Sequence, residues 1–195
     1  MSLETIKKQV TWCTKCELCK TRTNSVPGKG SYTSDVIFIG EAPGRNEDAN
    51  GEPFVGAAGK KLSLALTNAG VSRDDVYITN VVKCRPPNNR VPNTIERDTC
   101  GDYLRQEISI IKPKIICILG NTAYGSILGG SNITKYRGKV ARKDGQLYFL
   151  TVHPAATIYN HELIEILKSD FVKLFQIIKK LKDKKKISID IEYTS

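Results

Sequence analysis

The sequence predicts an α/β fold of three layers, in which a four-stranded parallel sheet is flanked by helices. Short apolar runs rich in β-branched residues recur along the chain, and each is bounded by glycine, proline or polar residues, as is typical of buried strands. Helical patterns lie between these runs, and regular alternation of this kind indicates a parallel sheet covered on both faces. The four predicted strands span residues 36–39, 76–82, 114–119 and 147–152.

Periodic apolar positions and end signals define the predicted helices. A helix over residues 57–69 has its apolar positions on one face and ends at Gly70. Asn93 and Glu96 form a capping box that begins a helix running to about residue 112. Further helices are predicted at residues 4–12, 121–129 and 162–182. The segment 40–56 is predicted as loop, and 131–146 as basic loop with a minor hairpin.

Length and composition favour a globular protein that does not enter the membrane. The 195 residues are predicted to form a single domain, residues 1–195, with an N-terminal cysteine-bearing segment and a lysine-rich C-terminal helix and tail. No apolar run approaches the roughly 20 residues that span a bilayer. Residues 1–20 lack the apolar region of a signal peptide. We therefore expect a cytoplasmic protein whose thiols stay reduced.

The net charge of +10 divides into two parts. Residues 179–186 contain six lysines and one aspartate and therefore carry +5. A charge run of this kind is typical of a solvated helix end. The remaining basic residues are spread through the chain, several of them near the candidate ligand site, and they suggest a polyanionic partner such as nucleic acid.

Three polar residues stand at the ends of predicted strands. Glu41, Asn80 and His153 each follow a different apolar run. Because ligands of open α/β sheets bind at the carboxyl edge, these side chains are expected to converge there. Phe54 lies in a polar loop of the same region, where it is either a lid on the core or a platform for a flat ligand. His153 has the alternative of being an ordinary loop residue.

Six cysteines in a reducing compartment indicate metal or redox chemistry. Cys13 and Cys16 form a C-x2-C pair, and Cys19 adds another step of the same length, so that it competes with Cys16 or stays free. Cys117 lies inside an apolar strand and is interpreted as a packed core thiol. Four thiolates bind either zinc or an iron–sulfur cluster. The best set of four is Cys13, Cys16, Cys84 and Cys100.

Several of these motifs occur together in one known family. The motifs are GEAPG at 40–44, NEDxxGxPFVGxAGxxL at 46–62, ITNVVKCRPPxNR at 78–90, Cys100, and HPA at 153–155. Together they resemble the family 4 uracil-DNA glycosylases, the iron–sulfur enzymes of archaea and thermophilic bacteria. The likeness runs from about Cys13 to Ile158, and the set is far more specific than any one motif.

The resemblance implies a cofactor, a substrate and a reaction. It implies a 4Fe–4S cluster on the four cysteines named above, with a structural role, and it implies that Cys19 is not a ligand. The implied substrate is DNA containing uracil, single- or double-stranded, and the implied reaction initiates base excision repair. A monomer associated with the nucleoid is expected, with a sliding clamp or other repair proteins as possible partners.

The resemblance also implies roles for the site residues. Phe54 would stack on the uracil ring, and the amide of Asn80 would read the edge of the base. His153 would donate a hydrogen bond to O2 as negative charge develops there. The opposite side of the base would be lined by backbone groups of Glu41, Ala42 and Pro43.

Two positions depart from related patterns. Classical uracil-DNA glycosylases have a water-orienting Asp where this chain has Ala42. The general base therefore stays open, with Glu47 as first candidate, Glu41 as second and Asp48 as third; Glu47 has the alternative role of excluding the thymine methyl.

The second departure is at the DNA wedge, where relatives commonly have Leu. Ile158 or Thr157 is expected to press into the duplex here.

The sequence therefore predicts a monofunctional uracil-DNA glycosylase that needs no lysine nucleophile. Two other hypotheses remain at this point. One is a DNA-binding module, bearing a cluster or zinc, that has lost catalysis on the same scaffold. The other is a glycosylase of broader range for deaminated bases, resembling family 5, although the first motif of that family differs from GEAPG.

Overall fold

The computed structural model describes residues 2–160 and 162–194. The described part of the chain forms one mixed sheet of seven strands in the order β1-β3-β2-β4-β6-β5-β7. The strands are β1 (Lys29–Gly30), β2 (Val36–Gly40), β3 (Tyr77–Asn80), β4 (Ile115–Leu119), β5 (Val140–Lys143), β6 (Gln146–Thr151) and β7 (Ile191–Tyr193).

The four predicted strands correspond to β2, β3, β4 and β6, which are parallel to one another at the centre of the sheet. The predicted fold class is therefore confirmed, but the predicted number of strands is wrong. The three additional strands flank this central group: β1 has two residues and runs antiparallel to β3, β5 forms a hairpin with β6, and β7 pairs with β5. The turn of that hairpin is Asp144–Gly145, both with positive φ, as a two-residue hairpin turn requires.

Eight α-helices lie within the described residues. They are α1 (Leu3–Thr11), α2 (Arg45–Asn50), α3 (Ala57–Asn68), α4 (Thr94–Ile111), α5 (Asn121–Leu128), α6 (Ile133–Tyr136), α7 (Ala156–Tyr159) and α8 (Glu162–Lys182). The long helices match the predicted ones, and Asn93 and Glu96 form the predicted capping box of α4. Helices α2 and α6 were predicted as loop; with six and four residues they are too short to show an apolar periodicity.

The helices cover both faces of the sheet. Along β2 the side chains alternate, so Ile37 and Ile39 pack with α1, α4 and α5, whereas Val36 and Phe38 pack with α3 and α8. The ring of Phe38 lies 5.0 Å from that of Phe171 on α8. Because helices lie on both faces, the three-layer arrangement is confirmed.

The parallel register brings the carboxyl ends of the central strands to one edge. Gly40 is paired with Asn80, and Leu119 with Thr151. Consequently the loops that follow β2, β3, β4 and β6 meet at this edge, which is where ligands of open α/β sheets bind.

The lysine-rich end of α8 lies at the opposite edge of the sheet. Lys182 forms a 2.7 Å ion pair with Asp35, the residue directly before β2. The chain then returns to the sheet as β7. No helix within the described ranges is long and apolar enough to cross a membrane.

Candidate active site and cysteine cavity

The loops at the carboxyl edge enclose a pocket of about 550 Å³, including its open mouth. The structure brings together in this pocket five of the residues predicted from the sequence, and it adds Asn89. Pro43 and Glu41 do not line the pocket. The lining residues are Ala42, Gly44, Glu47, Phe54, Ala58, Asn80, Asn89, His153 and Ala155.

Phe54 forms one wall of the pocket from a left-handed backbone conformation, with φ of 53°. Its ring belongs to the apolar core on the α3 and α8 face and also lines the pocket, so the two alternatives of lid and platform are compatible. A Cβ on Gly40 would lie 2.6 Å from the Phe54 ring, and a Cβ on Gly59 would lie 1.8 Å from the Phe54 carbonyl oxygen. Glycine at both positions therefore allows the ring to reach the end of β2.

Asn80 presents an unpartnered polar atom to the pocket. The residue is 2% exposed, and its Oδ1 has no hydrogen-bond partner among the described residues. The same oxygen would lie 2.5 Å from a Cβ on Gly40, which places it beside the Phe54 ring. Because buried polar groups in proteins are almost always hydrogen-bonded, an unpaired acceptor here indicates that a ligand supplies the donor.

His153 is half-buried and faces Phe54, with the two ring centroids 5.7 Å apart. Its Nδ1 accepts a hydrogen bond from the Ala155 backbone N–H at 3.1 Å, so in the neutral ring the proton is on Nε2. Burial lowers the pKa of His153 to about 4, although the negative charge of Glu47 acts in the opposite direction. Near neutral pH the imidazole is therefore an uncharged donor with a fixed tautomer.

Glu47 hydrogen-bonds to the backbone of two segments beside the pocket, the turn before α2 and the turn before α3. Its Oε1 accepts hydrogen bonds from the backbone N–H groups of Val55 (2.9 Å) and Gly56 (2.7 Å), and its Oε2 accepts one from Gly44 (3.1 Å). The carboxylate lines the pocket, but both of its oxygens are engaged with backbone donors. This arrangement is typical of a residue that fixes loops and weakens its candidacy as the general base.

The other two candidate bases lie outside the pocket lining. A carboxylate oxygen of Glu41 accepts a hydrogen bond from the Thr122 hydroxyl on α5. Asp48 is buried, and its Oδ1 accepts hydrogen bonds from the backbone N–H groups of Thr23 (2.9 Å) and Asn24 (3.3 Å). Asp48 therefore anchors the N-terminal segment to α2.

Asn89 is a pocket residue that the sequence reasoning missed. It lies in the loop after Cys84, with φ of 55°, and its Oδ1 accepts a 2.7 Å hydrogen bond from Arg85 Nε. The neighbouring Asn88 has the same left-handed backbone. The signal in the sequence was the Asn-Asn pair after two prolines, since Asn is the non-glycine residue that most readily adopts this conformation.

The segment after His153 corrects one of the two predicted wedges. Thr157 is fully buried, and its hydroxyl donates a 2.8 Å hydrogen bond to the Pro154 carbonyl, so it is not available to press into DNA. Ile158 is half-buried, whereas Tyr159 at the end of α7 is 90% exposed. Tyr159 and Asn160 are thus exposed in this segment, and Ile158 is the largest of the apolar side chains beside them that are partly exposed.

A second cavity, of about 330 Å³, lies between the N-terminal segment and α4. The four cysteines of the predicted set line it together with Cys19, whereas Cys117 lies elsewhere, fully buried in β4. Two sulfur atoms accept hydrogen bonds: Cys84 Sγ from Arg22 Nη1 at 3.0 Å, and Cys100 Sγ from the Lys83 backbone N–H at 3.2 Å. We refer to this space as the cysteine cavity.

Burial disfavours the charged thiolate form at three cysteines of the cysteine cavity. Burial raises the pKa of Cys16 and of Cys84, and it raises that of Cys100 to about 12. Bound iron or zinc reverses this by favouring thiolates. All six cysteines are unpaired thiols. In the part of the chain that is described, no three His, Cys, Asp or Glu side chains are grouped closely enough to hold a single metal ion.

Comparison with known proteins gives the class to which this fold and pocket belong. The family model described as "Uracil DNA glycosylase superfamily" matches residues 27–179, and the chain belongs to that superfamily. It is 45% identical over 185 residues to the type-4 uracil-DNA glycosylase of Archaeoglobus fulgidus, covering 90% of this chain and 93% of that protein. The corresponding protein of Sulfurisphaera tokodaii is 49% identical over 186 residues, covering 90% and 84%. The resemblance to family 4 is therefore confirmed.

The type-5 relatives are more distant. The type-5 uracil-DNA glycosylase of Pyrobaculum aerophilum is 33% identical over 148 residues, which is 67% of this chain and 65% of that protein. The type-4 proteins match more of the chain at higher identity, which favours the type-4 interpretation over the family 5 hypothesis.

Proposed function

We propose that this chain is a monofunctional uracil-DNA glycosylase that takes uracil out of the DNA stack and hydrolyses its N-glycosidic bond, as the first step of base excision repair. The observation that carries the proposal is the buried, unpartnered Oδ1 of Asn80 in a pocket with an aromatic wall and a neutral histidine donor. Uracil offers a flat ring, an N–H group and two carbonyl oxygens, and each of these has a counterpart in the pocket.

Asn80 is proposed to select the base. Its Oδ1 would accept from N3–H of uracil and its Nδ2 would donate to O4, while Phe54 stacks on the ring. Cytosine has an unprotonated N3 and an amino group at these two positions, so a buried Asn amide would be left with mismatched partners. Unpaired buried groups cost about 1–3 kcal/mol each, which is enough to reject the wrong base.

His153 is proposed to stabilise the leaving group. Cleavage of the glycosidic bond leaves negative charge on uracil and a sugar with oxocarbenium character. The Nε2–H of the neutral imidazole, whose tautomer is fixed by the Ala155 N–H, would donate to O2 of the developing anion. Glu47 adds a negative charge to the pocket wall, which favours the positively charged sugar.

Asn89 is proposed to hold the attacking water. The oxygens of Glu47 already accept three backbone N–H groups, and Glu41 is bonded to Thr122 outside the pocket lining. The Asn89 oxygen is held by Arg85, which leaves its NH₂ group to bind a water. As the C1′–N1 bond breaks, the water oxygen would bond to C1′ of the oxocarbenium-like sugar, and its proton would pass through solvent to the departing uracil anion, so that no strong base is required.

The DNA would lie across the carboxyl edge of the sheet, since the flipped nucleotide must enter the pocket from that side. We propose that Ile158 is the wedge and that Tyr159 stacks on an adjacent base, because Ile158 is a partly exposed apolar side chain of the segment after His153 and Tyr159 is its exposed aromatic one.

A 4Fe–4S cluster is proposed for the cysteine cavity, with Cys13, Cys16, Cys84 and Cys100 as ligands. The fit is supported by four thiols around one cavity and by N–H donors to two of the sulfurs, the kind of outer interaction that supports cluster ligands. The cluster would supply a structural link between the N-terminal segment and α4 and would take no part in the reaction.

The same proposal includes a cellular setting. A monomer in the cytoplasm, associated with the nucleoid, fits a protein that acts on chromosomal DNA, and a sliding clamp or other repair proteins are candidate partners. The single domain 1–195 is kept as the working unit.

The decisive experiment uses a single-stranded oligonucleotide with one uracil, which is incubated with the protein and then treated with alkali. Strand cleavage at the uracil position is expected, because base loss leaves an alkali-labile site. Matched oligonucleotides with cytosine or thymine at that position should stay intact. Binding to the uracil oligonucleotide without base release would instead support the inactive DNA-binding module.

A further inference from the structure

A buried ion pair lies between the candidate active site and the cysteine cavity. The side chains of Lys83 and Glu107 are each 1% exposed, and Lys83 Nζ lies 2.7 Å from Glu107 Oε2. Lys83 directly precedes Cys84 and follows Asn80 by three residues. Charges are rarely buried to this degree, and a buried ion pair is by itself weak evidence of a stabilising role.

The carboxylate of Glu107 accepts several further hydrogen bonds. Its Oε1 accepts hydrogen bonds from the Gly28 backbone N–H (3.1 Å) and the Tyr77 hydroxyl (3.2 Å), and its Oε2 also accepts one from the Thr79 hydroxyl (3.0 Å). The pair is therefore surrounded by satisfied hydrogen bonds, which is the condition under which a buried network becomes rigid.

Lys83 takes the place of a missing strand partner at Asn80. Strand β1 pairs only with Tyr77 and Ile78, so it ends before it reaches the last two residues of β3. The Asn80 carbonyl oxygen instead accepts a 3.0 Å hydrogen bond from Lys83 Nζ. The backbone of the residue that is proposed to read the base is thus held by the buried ammonium group.

The backbone of Lys83 contacts the other cavity. Its N–H donates to Cys100 Sγ at 3.2 Å. Lys83 therefore contacts the Asn80 carbonyl through its side chain and a proposed cluster ligand, Cys100, through its backbone.

We propose that Lys83 is a positioning residue for uracil recognition: it holds the Asn80 amide at the place where it reads the base, with Glu107 as its counter-charge and the cysteine cavity as its anchor. This inference rests on the proposed function of Asn80. It assigns a task in base selection to an ion pair that lies outside the pocket lining.

The test is the double variant Lys83→Met/Glu107→Gln. It removes both charges together, so that no unpaired charge is buried, and the introduced glutamine amide keeps an oxygen for the Gly28 and Tyr77 donors. Lys83 Nζ also donates to the Thr79 hydroxyl, and the NH₂ group of the introduced glutamine, at the place of Glu107 Oε2, can take over that contact. The donor to the Asn80 carbonyl is then the one that is lost without replacement. The matched control is Thr79→Val, which removes the hydroxyl that accepts from Lys83 Nζ and donates to Glu107 Oε2 but leaves the Lys83–Asn80 contact in place.

Three quantities separate positioning from general stability. They are the inhibition constant of free uracil, the affinity for DNA with an abasic site, and the visible absorbance of the cysteine cavity's proposed cluster. In the double variant the inhibition constant should rise on the order of 10-fold, the scale of one lost hydrogen bond, and single-turnover excision should fall in proportion. The abasic-site affinity and the absorbance should stay at wild-type values, as should all three quantities in Thr79→Val.

A wild-type inhibition constant in the folded double variant overturns the inference. If that variant does not fold, Glu107→Asp replaces it, because the shorter carboxylate withdraws from Lys83 without removing the charge; a raised inhibition constant then supports positioning, and an unchanged one overturns it. The proposed function is tested separately by the wild-type protein. Should the wild type release no uracil, the failure belongs to the proposed function and not to Lys83.

Discussion

The pocket and the cysteine cavity lie on either side of the chain that leaves β3, four residues apart at Asn80 and Cys84, yet they are built differently. In the cysteine cavity, Cys84 and Cys100 already accept hydrogen bonds from Arg22 and from the Lys83 backbone. In the pocket, the key acceptor of Asn80 has no partner among the described residues.

This difference is the one expected between a site for a resident cofactor and a site for a ligand that is released after each turnover. Ligands of a resident cluster can be fixed by outer hydrogen bonds, because the cluster never leaves. A pocket that releases its base after each turnover must keep its reading group free and rely on the surrounding structure for rigidity. Here that rigidity comes from Glu47, from the glycines around Phe54 and from Lys83 behind Asn80.

The largest expected effect comes from the cysteine cavity. Cys100→Ala should give colourless protein with a melting temperature lowered by about 10 °C or more, because binding of the cluster contributes directly to folding free energy. Cys117→Ala and Cys19→Ser should keep the yellow-brown colour. Absorbance near roughly 400 nm and thermal unfolding measure these outcomes. Colour retained in Cys100→Ala, or one zinc in colourless wild-type protein, would contradict the cluster.

In the pocket, His153→Ala should lower single-turnover excision on the order of 10²–10³-fold, the scale for losing one donor to a developing anion. Affinity for DNA with an abasic site should change little, since the leaving group is absent from that ligand. Rapid-quench measurement of base release gives the rate. Unchanged excision would remove His153 from the catalytic machinery.

Asn80→Asp tests base selection with almost no change in volume. The substitution replaces the Nδ2 donor by a second acceptor, so O4 of uracil would face a carboxylate, and excision should fall on the order of 10²-fold. Cytosine, whose amino group donates at this position, is expected to be released slowly by the variant. Matched oligonucleotides containing uracil or cytosine decide the matter, and full uracil excision would show that Asn80 does not read the base.

A smaller effect is expected on the pH dependence of the free energy of unfolding, because His153 is held neutral by burial. Its pKa of about 4 in the folded protein is below the ordinary value near 6.5. Between about pH 6.5 and pH 4 the unfolded chain binds a proton at this histidine and the folded protein does not. The free energy of unfolding is therefore highest above about pH 6.5, falls as the pH is lowered, and has lost the whole contribution of the neutral imidazole by about pH 4. The whole difference amounts to about 3 kcal/mol.

His153→Gln does not titrate, so it supplies the reference for that stability effect. Between pH 7 and 4, the free energy of unfolding measured with urea should decline more steeply in the wild type than in the variant. Parallel curves for the two proteins would show that the imidazole is not held neutral by burial.

The central strands could be predicted from the sequence because each carries its own apolar pattern. Strands β1 and β7 could not, since two or three residues give no clear period and their pairing depends on distant segments. Strand β5 was predicted only as part of a minor hairpin within residues 131–146, and its pairing with β6 confirms that hairpin. The same limit applies to the site. Glu41, Asn80 and His153 were identified as candidates because strand ends predict the carboxyl edge, but the sequence could not show that Thr122 binds Glu41 away from the pocket lining.

Roles set by tertiary contacts were the least predictable. Thr157 was a reasonable wedge in sequence, yet its hydroxyl is used by Pro154 and the residue is buried. Glu47 carries the charge expected of a base, but its Oε1 accepts from the Val55 and Gly56 backbones, whose approach no local pattern encodes. The third donor, Gly44, belongs to the local capping box of α2. The contact of Lys83 with Glu107 joins residues 24 positions apart in sequence.

The smallest expected effect concerns the lysine run, whose location separates it from both cavities. Because Lys182 pairs with Asp35 at the amino edge, the residues that follow are far from DNA bound at the carboxyl edge. Truncating the tail is a poor test, since residues 191–193 form β7. The variant of choice is the triple substitution of lysines 184–186 to Gln, with Arg45→Gln as the matched control, because Arg45 is exposed directly after the pocket residue Gly44.

The dependence of DNA affinity on salt distinguishes the two surfaces. Each lost phosphate contact lowers the slope of log affinity against log salt by about 0.9 on duplex and about 0.7 on single strands. Arg45→Gln should lower the slope by one such step, whereas the triple variant should leave it at the wild-type value, as a solvated helix end would. A slope reduced by two or three such steps in the triple variant would mean that the DNA also contacts the amino edge of the sheet. Binding at the carboxyl edge alone would then be wrong.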